Sequence, residues 1–121
     1  MVSIYLADAN TAERNALRFV VNDLRMNLVG EAADWQTVLG QIAISLPHIL
    51  VLDWDLLPIQ QSSAVEVLRN GCLAPLIVLI SRLDSDQQAA LSGGADVFIC
   101  RGEMIERVVD RFRAVVKKFH I

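Results

Sequence analysis

The 121-residue sequence predicts an α/β domain: a doubly wound sheet of five parallel strands with five helices. Three observations point there. Five short apolar runs recur at similar intervals, segments with helical spacing separate them, and most of the runs are continuous rather than alternating, the pattern of strands covered on both faces. Strand followed by helix five times, with right-handed crossovers, builds such a sheet. The length suits one domain spanning residues 1–121, and no linker, repeat or low-complexity stretch divides it.

The first run is Ile4-Tyr5-Leu6-Ala7. The helix after it covers residues 10–25, with Asn10 as N-cap, Glu13 three residues later, and Ala16, Phe19, Val20 and Leu24 as its buried stripe. Leu28-Val29-Gly30 forms the second run. Asp34 caps the second helix, which buries Val38, Leu39, Ile42 and Ala43 and stops before Pro47. Ile49-Leu50-Val51-Leu52 is the third run, and its helix covers residues 62–69 up to Asn70-Gly71. Leu76-Ile77-Val78-Leu79-Ile80 is the fourth, with a short helix opening near Ser85 and stopping at Gly93-Gly94. The fifth run, Val97-Phe98-Ile99-Cys100, leads to the clearest helix, whose one face carries Ile105, Val108, Val109, Phe112, Val115, Val116 and Phe119.

Composition excludes several function classes. The chain is 54% hydrophobic and carries a net charge of −3, so it is too apolar to be disordered and lacks the positive field of a sequence-independent nucleic-acid binder. Pro, Gly or a charge breaks each apolar run well short of the ~18–20 residues that cross a bilayer, and the first residues lack the basic start of a signal peptide. A cytoplasmic protein is the expectation. Cys72 and Cys100 lie far apart and the two histidines are His48 and His120, which indicates neither a disulfide framework nor a zinc site; Cys100 reads as a small core residue.

In a doubly wound sheet, ligands and chemistry collect beyond the carboxyl ends of the strands. The residues there are Asp8-Ala9-Asn10, Glu31-Ala32, Asp53-Trp54-Asp55, Ser81-Arg82 and Arg101-Gly102. Asp8, Asp53 and Asp55 converge if the first and third strands are neighbours. Gathered carboxylates repel and raise one another's pKa unless a hard cation such as Mg²⁺, or a basic side chain such as Arg82 or Arg101, neutralises them. The plain alternative is that the acids cap the segments that follow them.

Over essentially its whole length the chain resembles the receiver domain of two-component response regulators. The resemblance rests on Leu6-Ala7-Asp8 with Arg14-Asn15-Ala16-Leu17-Arg18, on Val29-Gly30-Glu31-Ala32, on Pro47-His48-Ile49-Leu50-Val51-Leu52-Asp53, on Ala74-Pro75-Leu76-Ile77-Val78-Leu79 and on Gly93-Gly94-Ala95-Asp96-Val97-Phe98. The Val-Gly-Glu-Ala stretch looks most like receivers that precede a helix-turn-helix output domain. The resemblance implies a flavodoxin-like strand order 2-1-3-4-5 and a role in signal transduction and transcription regulation, not metabolic catalysis. It also implies that Asp53 stands where an aspartate accepts a phosphoryl group from a histidine kinase or a small phosphodonor.

Three departures follow from the same resemblance. The acid pair after the first strand is reduced to Asp8-Ala9, and alanine cannot ligate Mg²⁺. Asp55, with the strand parity of Asp53, is the possible replacement, so Asp8, Asp53 and Asp55 are the candidate ligands of a weak or absent Mg²⁺ site. The Thr or Ser that bonds the phosphoryl oxygen falls on Ile80; Ser81 supplies the hydroxyl only if the strand ends one residue early. The lysine position is Arg101, followed by Gly102 where the family usually has proline, and its planar fork suits a clamp on Asp53. Phe98 occupies the position of the aromatic that rotates inward on activation.

The expectation is therefore an atypical receiver with a degenerate phosphorylation site, acting through a protein partner or histidine kinase. It has no organic cofactor, no direct nucleic-acid contact and no membrane attachment, with homodimerisation through the fourth helix, fifth strand and fifth helix. The alternatives are a working phospho-acceptor receiver and a small-molecule-binding flavodoxin-like module. The loop Asp8-Ala9-Asn10-Thr11 lacks the Gly-rich or hydroxyl-rich cradle that the last would need.

Overall fold

In a computed structural model of the chain, the described residues are 1–58, 66–68, 76–81, 96–100 and 102–118, with 76–79 and 81 described by their backbone. Five strands, β1 (Ser3–Ala7), β2 (Asn27–Ala32), β3 (Ile49–Asp53), β4 (Leu76–Ser81) and β5 (Val97–Cys100), form one sheet in the order β2-β1-β3-β4-β5. Every pairing is parallel. The flanking helices are α1 (Thr11–Asp23), α2 (Trp35–Ser45) and a C-terminal helix (Ile105–Lys118), and a 3₁₀ turn (Trp54–Leu56) follows β3. Glu66–Leu68 is helical, inside the third helix expected from the sequence; the rest of that helix, the fourth helix, Arg82, Arg101, Cys72, Phe119 and His120 lie outside the described residues.

The strands sort their side chains onto two faces by alternation. Ile4, Leu6, Ile49, Val51, Ile80 and Ile99 face α1 and the C-terminal helix, whereas Tyr5, Ala7, Leu50, Leu52 and Phe98 pack with Val38 and Ile42 of α2. All five residues of β3 are buried, as a central strand covered on both sides requires.

α1 starts where Asn10 accepts from the Glu13 amide at 2.9 Å, the expected cap. Its buried residues are Leu17, Val20 and Val21, with Leu24 partly buried; Ala16 is exposed and Phe19 is 63% exposed. The expected stripe was therefore set one residue off. The series 16, 19, 20 and 17, 20, 21 both satisfy helical spacing and share Val20, so periodicity alone does not separate them.

Asp34 caps α2 through the Thr37 amide and hydroxyl, both at 2.8 Å. Val38 and Ile42 are buried as expected, but Leu39 and Ala43 are exposed. α2 covers the edge half of the sheet, so only one narrow line of its residues reaches the strands. On the C-terminal helix Phe112 and Val115 are buried, Val108, Val109 and Val116 partly so, and Ile105 is 43% exposed. Cys100 is half-buried and packs at the edge of the α2-side core.

Gly30 has a steric reason: a Cβ there would stand 2.5 Å from Cε2 of Tyr5. The ring of Tyr5 lies against the β2 backbone, and its hydroxyl donates to Oε1 of Gln41 on α2 at 2.5 Å.

Candidate functional site

Strand register sets the site. β1 pairs with β3 up to Ala7↔Leu52, so one further step brings Asp8 beside Asp53 at the carboxyl ends. β3 pairs with β4 through Asp53↔Ile80, and β4 with β5 through Ile80↔Ile99. One level across the sheet thus carries Asp8, Asp53, Ile80 and Ile99. Asp8 is 1% and Asp53 4% exposed, and these are the buried charged residues among those described.

Each carboxylate also has a local task. Oδ1 of Asp8 accepts from the Asn10 amide at 2.9 Å, turning the chain out of β1 towards α1. Oδ1 of Asp53 accepts from the Asp55 amide at 3.3 Å and caps the 3₁₀ turn. The capping alternative is thus present at both acids, together with the burial and juxtaposition of a site.

Asp55 departs from its expected place. β3 ends at Asp53 and the backbone coils into the 3₁₀ turn, so strand parity no longer governs. Trp54 takes the inward place at 4% exposed, and Asp55 is exposed. Ala9 is exposed and offers no ligand. Among the described residues, no three His, Cys, Asp or Glu stand close enough together to hold a metal ion. Asp8 and Asp53 come together and Asp55 does not join them, so the side chains described do not fit an Mg²⁺ ion held by three carboxylates.

Ile80 sits where the hydroxyl was sought and is 4% exposed in the core of its face. β4 continues through Ser81, which pairs with Cys100, so the strand does not end one residue early. Phe98 is 9% exposed in the opposite core.

A further cluster carries weight that the sequence reading did not assign. Arg14 donates from Nη1 to the Asp8 carbonyl at 2.7 Å, and its Nε lies 3.3 Å from Oε1 of Glu31. Arg18 grips Glu31 with both arms, Nη2 to Oε1 at 2.6 Å and Nε to Oε2 at 3.1 Å, which raises the Arg18 pKa above its ordinary value, first through that hydrogen bond. The four-residue spacing of Arg14 and Arg18, with an acid ending β2, was the available signal. The cluster ties α1 to β2 and holds the backbone of Asp8 from behind.

No family model matches the sequence, and no curated protein does. Solved structures do. A two-component response regulator from Clostridium difficile matches with a TM-score of 0.87 and 15% identity over 100% of both chains. The isolated receiver domain of RcsB from Salmonella enterica serovar Typhimurium gives 0.85 and 13%, covering 97% of this chain and 88% of that one. The receiver domain of the putative response regulator NarL from Mycobacterium tuberculosis gives 0.81 and 22%, over 96% of both. The chain has the response-regulator receiver fold.

Proposed function

We propose that this chain is an atypical receiver domain that works in signal transduction by protein–protein contact, with weak or no Mg²⁺-dependent phosphorylation of Asp53. The observation that carries the reading is Ile80, buried one strand from Asp53 at the same level. A phosphoryl group on Asp53 would meet methyl groups where a receiver needs a hydroxyl. The exposed Ala9 and Asp55 support it by removing the oxygen ligands that Mg²⁺ prefers. In this proposal Arg101 is the cationic partner of Asp53, and the domain is not an enzyme. Its partner is a signalling protein, a histidine kinase included. The mixed charges exposed on the C-terminal helix, Glu106, Arg107, Asp110 and Arg113, belong to the proposed contact surface.

Intact-mass measurement after incubation with acetyl phosphate and Mg²⁺ tests this, beside an Asp53→Ala control. The expected result is no accumulated adduct on the native chain. The double variant Ala9→Asp, Ile80→Thr should accumulate at least about tenfold more adduct, a gain of ~1.4 kcal/mol. An Mg²⁺-dependent adduct on the native chain that disappears in Asp53→Ala would overturn the reading in favour of a working phospho-acceptor.

A further inference from the structure

A cleft of about 200 Å³ opens between α1, the ends of β4 and β5 and the start of the C-terminal helix. Ile80 and Ile99, 4% and 2% exposed, line it from the sheet, Leu17 and Val20 from α1, and Ile105 and Val108 from the C-terminal helix. It reaches the surface beside Ala16 and Gly102, both exposed, and among the described residues nothing stands within 4 Å of where a Cβ on Gly102 would lie.

We propose that this cleft binds a small, uncharged, apolar molecule of one or two fused rings. Size and lining both select that occupant. An apolar cavity of ~150 Å³ walled by aliphatic side chains stays dry and takes benzene, so a space slightly larger accepts one or two rings and is too small for a peptide helix. Along the aliphatic part of the wall water finds few partners, and an apolar group that displaces it there gains affinity. Among the described residues, the carboxylates in the lining are Glu13 and Glu103, which disfavour an anion. Both oxygens of Glu103 are engaged by Arg111, at 2.8 and 2.9 Å, and so are not offered to a cationic ligand.

The inference deepens the function proposed above and rests on it for its regulatory meaning: Ile80 is both a wall of the cleft and the neighbour of Asp53. A ligand pressing on Ile80 and the C-terminal helix would report to the acid end of the sheet without any phosphoryl chemistry.

Indole is the probe. Titrated into the full chain, it should shift the methyl NMR signals of Ile80, Ile99 and Val20 saturably and raise the melting temperature. Ala16→Phe, a change at an exposed α1 position, fills the mouth and should weaken binding at least about tenfold. Ala12→Phe, on the same helix but outside the cleft, should leave binding unchanged. The absence of saturable shifts up to about 5 mM would overturn the site, as would shifts that survive Ala16→Phe. Indole binding by Asp53→Ala keeps the outcomes separate: a phosphate adduct on the native chain removes the proposed function and leaves the cleft, and a failed titration removes the cleft alone.

Discussion

At the scale of single residues, Tyr5 shows how one side chain joins two elements. It is fully buried, its ring takes the room that Gly30 leaves, and its hydroxyl reaches α2 through Gln41. Burial, and secondarily the negative charge of Asp34, push the phenol pKa above its ordinary value of 10.0. A folded-state pKa above the unfolded one means that this contribution is complete below pH ~10 and is lost as the pH rises through the folded value. The chain has one tyrosine, so tyrosinate absorbance reports this residue alone. Its midpoint in the folded protein should lie above 10.0, and a midpoint at or below that value would contradict the burial argument. Tyr5→Phe should cost about 0.5–1.5 kcal/mol in urea unfolding, the usual worth of one neutral hydrogen bond, and should remove the alkaline loss. At this same scale the sequence was least informative about the acids. The register sets Asp8 and Asp53 at one level, but strand parity does not extend to Asp55, and no pattern in Asp53-Trp54-Asp55 marks the switch from strand to 3₁₀ turn.

At the scale of elements, the strands were legible and the helix faces less so. β5 matches the expected Val97–Cys100, and each other strand extends its apolar run by one to three residues, including less covered polar ones such as Ser3, Asn27 and Glu31. Hydrophobicity marks where a strand is covered, whereas backbone pairing continues past that cover. Helix faces depend on what lies opposite, which is why Phe19 and Leu39 were expected inside and lie exposed. The C-terminal helix is anchored at its start by Glu103, whose carboxylate takes both arms of Arg111. That hydrogen bonding, more than the added charge attraction, holds the Glu103 pKa below its ordinary value. A lowered folded pKa gives stability that is present above the ordinary carboxylate range and is lost as the pH falls through the folded value. The melting-temperature difference between the native chain and Glu103→Gln should therefore be largest above pH ~5 and close as the pH drops below ~4. A difference that stays constant across this range would mean that the pair contributes nothing through its charge.

At the scale of the whole molecule, the order β2-β1-β3-β4-β5 dictates a history of assembly. The first three strands in sequence make a contiguous block with β1 at its centre, and the remaining two are added in turn on one side. A chain emerging from the ribosome can therefore build its sheet outward, with no later strand having to wedge between two already paired. The hazard falls in the interval before β4 arrives, when β3, whose five residues end up buried, is a bare edge of unpaired backbone N–H and C=O groups carrying mostly apolar side chains. A fragment ending at residue 75, just before Leu76 opens β4, should sediment as aggregate under conditions where the full chain stays in the supernatant. For such a sheet the dangerous moment is a matter of timing: the speed with which residues 76–81 follow residue 53 sets how long the molecule spends able to pair with its neighbours instead of itself.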